Sequence, residues 1–437
     1  MAISDHSGPQ GMSIPPLLQL YQLRKQQWLS TKALEQLQLR KLSFIVHDAY
    51  RNVRYYKLLF DSAGVKPEDI RTAGDLAKIP ITRRKVFQQQ PAADIVAGNA
   101  DLLRCKKMLT SGSSGSPLTV YRTRSEDNRY DAVWARSFMA DGARIWDKFA
   151  DYNAYRPFPK RWFENLGIWR RIPIPILEAP ERKARIIQQA KPDVIRGNQF
   201  ELVTLARVIQ RERINGVKPR LVFTTGSLLD EQSRSLIESV LNTTVYDFYG
   251  STEMGCIAWQ CHPRSGYHVN IDAAVVEIIN EDGSSAMAGE RGRLVCTGLI
   301  SHTMPFIRYD MGDIGISTDG SCRCGRGLPL IRSIEGRADD FLVATNGKLL
   351  SPSVVTNSVK IIPGLMQYRI VQESISQVKA QLVLDGKSSV SQSEILKHIL
   401  TDLMGTGIEI QVEIVDTIPF DSTGKIRALV SKVNRHS

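Results

Sequence analysis

Residues 192–250 alternate between segments that read as strands and segments that read as helices, and this alternation restricts the fold more than any other feature. Residues 193–196 and 220–225 are short, largely apolar runs, the second closed by Gly226. Between them Leu202, Leu205, Ala206 and Ile209 recur at i, i+3, i+4 and i+7, one helix face over residues 199–213. A second helical stretch fills 230–241, and a third strand 244–248. Strand–helix–strand–helix–strand predicts a mostly parallel sheet, because parallel neighbours need a long crossover. In such sheets ligands bind beyond the carboxyl ends of the strands, which directs attention to residues 224–227 and 249–255.

The pattern changes on both sides of this centre. Residues 16–60 carry apolar stripes at mixed three- and four-residue spacing, through Leu34, Leu37, Leu42, Ile45 and Val46, and predict helices. Residues 270–317 predict antiparallel strands and turns, with strands at 274–279 and 293–297 around a turn at 280–283. After Gly336, strands at 368–372 and 378–384, a helix at 391–403 and an alternating strand at 408–415 predict a small α+β module. The expectation is an α/β protein. A flexible tail spans 1–15, a large N-terminal domain of several subdomains spans 16–337, and a mobile C-terminal domain spans 338–437.

Among 437 residues, 42% are apolar and 23% charged, a globular composition that excludes disorder or a coiled coil over the whole chain. No stretch reaches the ~18 apolar residues of a membrane span. The polar, Pro/Gly-rich start resembles no secretory signal, so a cytoplasmic protein with reduced cysteines is expected. The net charge is +12, and residues 21–87 alone carry 14 basic and 6 acidic side chains. A basic face suits polyanionic partners such as nucleotides or coenzyme A, although charge alone selects none of them.

The segment Thr110-Ser111-Gly112-Ser113-Ser114-Gly115-Ser116-Pro117 packs two glycines and five hydroxyls into eight residues. Glycines let backbone N–H groups converge, and hydroxyls add donors, a chemistry suited to phosphate oxygens. No Gly-Lys-Ser/Thr follows, so this is not a Walker loop. It is expected to join strands at 102–109 and 118–122. Cys261, His268, Cys322 and Cys324 supply three thiols and one imidazole, a complete tetrahedral set for structural Zn²⁺ with no open position. Cys256 and His262 are nearby substitutes for the assigned ligands. Cys105 and Cys296 sit in apolar runs and read as core, and His47 and His302 read as hydrogen-bonded structural residues.

Further motifs follow in order: Tyr249-Gly250-Ser251-Thr252-Glu253, Arg308-Tyr309-Asp310-Met311-Gly312-Asp313, Gly336-Arg337-Ala338-Asp339-Asp340, and Asp421-Ser422-Thr423-Gly424-Lys425-Ile426-Arg427. With the Ser/Gly loop, this ordered set resembles the adenylate-forming enzyme superfamily. It is most similar to the phenylacetate–CoA ligase branch, with its capsule-biosynthesis CapK and coenzyme F390 synthetase-like relatives. The resemblance spans nearly the whole chain and implies an enzyme. An AMP-forming acid–thiol ligase would join ATP and a carboxylic acid into an acyl-adenylate, releasing pyrophosphate, and then pass the acyl group to coenzyme A.

The resemblance also implies roles for individual residues. Residues 110–116 would hold the ATP phosphates, Gly226 and Ser227 would face the adenine, and Tyr249 would supply an aromatic face. Thr252 would touch the α-phosphate, and Glu253 would hold Mg²⁺. Asp313 would bind the ribose hydroxyls, Arg337 the ribose–phosphate region, and Lys425 the developing charge at the α-phosphate. Asp339 would be the hinge. The superfamily loop often ends Pro-Lys, whereas Leu118 follows Pro117 here. Rival readings are transfer to an amine or sugar acceptor, transfer of AMP to a hydroxyl, or a catalytically silent relative that binds anionic surfaces. The expected partners are small molecules, with no nucleic acid and no membrane span, for a monomer or homodimer.

Overall fold

An eight-stranded sheet runs through the N-terminal part of the computed structural model, which describes residues 16–110, 117–154, 161–175, 178–385, 390–419 and 427–433. The expected tail over 1–15 lies outside the described residues. In spatial order the strands are Leu330–Ile331, Tyr267–Val269, Gly255–Gln260, Thr244–Ser251, Leu221–Thr225, Val194–Gly197, Lys148–Ala154 and Arg170–Pro175. From Thr244–Ser251 to Arg170–Pro175 every pairing is parallel, as the alternation predicts. On its other edge Thr244–Ser251 pairs antiparallel with Gly255–Gln260, and the remaining pairings stay antiparallel.

Helices Pro180–Ala190, Gln199–Arg211 and Glu231–Leu241 provide the crossovers. Leu202, Leu205, Ala206 and Ile209 form the buried face anticipated for the second, and Leu202, Leu205 and Ile209 share a core with Val222, Ile237 and Val245. Asn198 and Asp230 start the last two helices by accepting the N–H groups of Glu201 and Ser233. Asp230 is therefore a cap rather than the first helical residue.

A four-stranded antiparallel sheet, ordered Ala274–Ile279, Arg291–Gly298, Tyr309–Ile316 and Ser333–Arg337, stands beside the first. Helix Thr31–Asn52 turns Leu42, Ile45, Val46 and Ala49 into the same core as Val275, Leu294 and Cys296 of that sheet. The small module has its own core of Val355, Ile370, Val378, Leu382, Leu396 and Leu400. Its sheet is ordered Glu409–Ile414, Gln377–Leu384, Leu365–Ser374 and Leu429–Ser431, flanked by helices Pro352–Val359 and Val390–Met404.

Two local expectations need correction. The strand before the Ser/Gly loop covers only Lys106–Leu109, because Asp101 accepts the N–H groups of Leu103 and Arg104 and turns the chain there. The third parallel strand continues through Ser251, so Tyr249, Gly250 and Ser251 are sheet residues rather than a following loop.

Gly250 is where that strand meets its antiparallel neighbour. A Cβ placed on it would lie 2.3 Å from the Gly255 carbonyl oxygen and 3.2 Å from the Trp134 ring. We expect Gly250→Ala to destabilise the fold by about 1–3 kcal/mol through overpacking, seen as a lower thermal midpoint. An unchanged midpoint would show that the hairpin can spread without cost.

Candidate functional site

The carboxyl ends of Leu221–Thr225 and Thr244–Ser251 open into a cavity of about 1000 Å³. Both sheets, the segment around Arg84 and the small module contribute to its walls. Of the residues expected at a site, Thr110, Gly226, Ser227, Tyr249, Gly250, Ser251, Thr252, Glu253, Asp313, Arg337 and Asp339 all line it. Ser111, Gly112, Ser113, Ser114, Gly115 and Lys425 lie outside the described residues. Arg427, two positions beyond Lys425, lines the cavity.

One wall joins the two sheets. The Tyr249 hydroxyl donates to Asp313 Oδ2 at 2.7 Å. Asp313 lies opposite Arg337 in the neighbouring strand, with Arg337 Nε 3.9 Å from Asp313 Oδ1. Gly312 adopts φ +71°, and a Cβ there would come 3.0 Å from Arg337 Nη2, so this glycine makes room for the guanidinium. Burial pushes the Asp313 carboxyl up to about 6, against the opposing pull of Arg337 and of the Tyr249 hydrogen bond. An acceptor pair, a planar cation and an aromatic face thus border one space, a set that recognises hydroxyls, phosphate and a flat ring.

The turn at residues 252–254 contributes a second group to the lining. Buried Glu253 accepts the Tyr309 hydroxyl at 3.1 Å through Oε1. Ser251 Oγ accepts the Met254 N–H at 3.1 Å, and Arg122 donates to the Thr252 carbonyl while stacking 3.6 Å from the Tyr130 ring centroid. The base of the Ser/Gly loop is pinned nearby. Thr110 N donates to Leu118 O at 2.9 Å, and Leu118 N donates back to Thr110 Oγ1 at 2.9 Å. Arg84 also donates to Thr110 Oγ1.

Arg84 and Tyr309 were not singled out by sequence reasoning. The run Arg83-Arg84-Lys85 was visible only as part of a general basic excess. Arg308, the first residue of Tyr309's motif, turns away from the cavity at φ +47° to pair with Glu277 and donate to the Ile79 carbonyl.

The four metal-ligand candidates converge away from this cavity. Cys261 follows strand Gly255–Gln260, His268 lies in Tyr267–Val269, and Cys322 and Cys324 precede Leu330–Ile331, whose Leu330 is opposite His268. The ligand atoms all lie within 4.8 Å of one another. Cys261 Sγ is 3.4 Å from Cys322 Sγ, and His268 Nε2 is 3.3 Å from the sulfurs of both Cys261 and Cys324. A tetrahedral zinc with ordinary Zn–S and Zn–N bonds needs edges of about 3.4–3.8 Å, so the four fit a metal. Burial, with Arg326 close by, holds the His268 imidazole down at about 4, leaving it neutral. Cys256 instead donates to Ser137, and His262 pairs with the Tyr246 hydroxyl, which removes both substitutes. Cys105 and Cys296 are buried, and His302 pairs with Asp48 at 2.9 Å.

Residues 342–432 match the model of the CapK C-terminal domain. The chain is 30% identical to a phenylacetate–coenzyme A ligase of Pseudomonas putida over 343 residues, 76% of this chain and 77% of the relative. It is 25% identical to the Escherichia coli phenylacetate–coenzyme A ligase over 410 residues, 89% of this chain and 93% of the relative. Among solved structures, a 2-hydroxyisobutyryl-CoA ligase in the postadenylation state matches with a TM-score of 0.76, at 19% identity over 94% of this chain and 92% of that one. The same ligase in its thioesterification state matches with a TM-score of 0.65, at 19% identity over 94% and 92%.

Two sheets, a separate C-terminal module and a cavity between them define the fold of an adenylate-forming ligase. The chain belongs to the phenylacetate–coenzyme A ligase family.

The raised Asp313 carboxyl has a measurable consequence. Its folded value of about 6 lies above the unfolded one, so proton binding stabilises the fold below about pH 4 and that contribution is lost as pH rises through about 6. Asp313→Asn has no charge to bury. It should be more stable than the parent by about 1–3 kcal/mol near pH 8, with the gain shrinking toward pH 4. Paired melting curves across that range check the sign, and a pH-independent difference would refute it.

Proposed function

We propose that the chain activates a carboxylic acid with ATP and then transfers the acyl group to coenzyme A. The observation that carries this reading is the convergence of Tyr249, Asp313 and Arg337 with Thr110, Thr252 and Glu253 around one cavity. ATP would lie between them. The adenine would rest on the Tyr249 face beside Gly226 and Ser227, the ribose hydroxyls would donate to ionised Asp313, and Arg337 would bridge ribose and phosphate. Residues 110–116 would cradle the phosphates. Arg84, tied to Thr110, supplies a positive charge on the side where the loop has Leu118 in place of lysine. Glu253, oriented by Tyr309, would hold Mg²⁺ through oxygen, a cation that screens the charge of the phosphates.

The carboxylate would attack the α-phosphate, forming one P–O bond as the bond to pyrophosphate breaks. Lys425 would stabilise the negative charge that grows there. The thiol sulfur of coenzyme A would then attack the acyl carbon, expelling AMP and losing its proton. Residues 16–337 and 338–437 would be the two moving parts, turning at Asp339. The higher similarity to the postadenylation state than to the thioesterification state supports assigning this arrangement to the first step.

ATP–pyrophosphate exchange over a panel of aryl, fatty and hydroxy acids tests the first half, and thioester formation on adding coenzyme A tests the second. Exchange without thioester would favour an amine or sugar acceptor. Lys425→Ala should lower exchange by about 10²–10³-fold and spare thioester formation from a supplied acyl-adenylate. Exchange within a few-fold of the parent would overturn the role of Lys425.

Cys261, His268, Cys322 and Cys324 would hold one structural Zn²⁺, joining the strand that leaves Glu253 to the loop before Leu330–Ile331. Metal analysis should find one zinc per chain, and His268→Ala should lower the thermal midpoint more than it alters the exchange rate. Metal-free protein with an unchanged midpoint after chelation would exclude a structural metal.

A further inference from the structure

We propose that Lys360 is a positioning residue that latches the C-terminal module onto the N-terminal part for the first half-reaction and must let go before the second. The assignment rests on the two-step reading above. It identifies what holds one of the two arrangements.

Lys360 ends helix Pro352–Val359. Its ammonium donates to Asp230 Oδ2 and to Ser233 Oγ at the start of helix Glu231–Leu241, across the boundary between the two parts. The Asp230 side chain is 2% exposed and that of Lys360 20%, so little solvent reaches the pair. Asp230 uses its two oxygens differently. Oδ1 accepts the Ser233 N–H at 2.9 Å and caps the helix, while Oδ2 takes Lys360 and Gln199 Nε2. Gln199 also donates to Ser233 Oγ at 2.9 Å. The lysine thus enters a receptor already ordered by the N-terminal part.

A second contact lies on the same side of the cavity. Arg207 donates to the carbonyls of Leu365 and Met366 in the module at 3.1 and 2.9 Å. Neither carbonyl carries a formal charge, so this contact orients the module while the Lys360–Asp230 pair adds an attraction that depends on ionisation.

A residue shifts a two-state equilibrium only by its differential interaction with the two states. Docked, Asp230 is shielded and Lys360 is the cation that compensates it. Once the module turns away, Asp230 faces water and needs no partner. Removing the charge of Lys360 therefore leaves a shielded, uncompensated carboxylate in the docked arrangement alone, where such a loss is costly. The sequence signal is faint, because Lys360 reads as an ordinary lysine at a helix end.

The test uses the full-length protein with a fluorescence energy-transfer pair, one dye on each part, alongside both half-reactions. Lys360→Met should lower the docked fraction and slow ATP–pyrophosphate exchange by about tenfold or more. It should leave thioester formation from supplied acyl-adenylate equal or faster. Lys360→Arg should restore most of the docking, which a purely volumetric role would not predict. An unchanged docked fraction in Lys360→Met overturns the proposal. So does an equal loss of both half-reactions with a lower thermal midpoint, the mark of a structural defect. If the parent shows no exchange with any acid yet Lys360→Met still undocks, the ligase reading fails and the latch stands.

Discussion

The Tyr249–Asp313 hydrogen bond crosses between the eight-stranded sheet and the antiparallel sheet. Tyr249 lies near the carboxyl end of the last parallel strand of the central sheet, and Asp313 lies in the third strand of the antiparallel sheet. Because Asp313 is opposite Arg337, the bond also fixes the guanidinium that immediately precedes the turn into the module. A half-buried carboxylate shared by a phenol and a guanidinium is costly to ionise, and its raised pKa registers that cost. A donor-rich ligand such as ribose would offset it.

Glu253 and the Cys/His cluster are connected through a single strand. Gly255–Gln260 begins two residues after Glu253 and ends one residue before Cys261, and all six of its residues are buried. A metal at the cluster would tie this strand's far end to the loop carrying Cys322 and Cys324. Its near end is held by Arg122 at the Thr252 carbonyl and by Tyr309 at Glu253. A metal at the cluster would brace the strand that leaves Glu253 from a point outside the cavity.

Ion pairs hold the module both internally and against its neighbour. Asp340 accepts Arg427 within the module, and Asp230 of the N-terminal part accepts Lys360 across the boundary. Both carboxylates are well shielded, and each is held by a cation on a long side chain. Such pairs give orientation at little net gain in stability, which would suit the Asp230–Lys360 contact if the boundary opens and closes in turnover.

Much of this was legible in the chain alone. The 3.6-residue repeat at Leu202, Leu205, Ala206 and Ile209, set between apolar runs, dictated a parallel sheet with crossovers, because local periodicity reports which face is buried. The motifs around Tyr249, Asp313 and Arg337 were readable only as an ordered set resembling a known family, since each alone reads as an ordinary turn or surface residue. Cys261, His268, Cys322 and Cys324 were readable because thiols and imidazole in that number have few other uses. Contacts between distant elements were not readable. Nothing near Arg84 announces Thr110, and nothing near Lys360 announces Asp230, 130 positions away. Nor does spacing reject Cys256 in favour of Cys261, since the choice follows from which face of the strand each side chain takes. Local pattern follows from the backbone's own periodicities, whereas partner choice follows from how sheets and modules pack, and packing is settled only when the whole chain has folded.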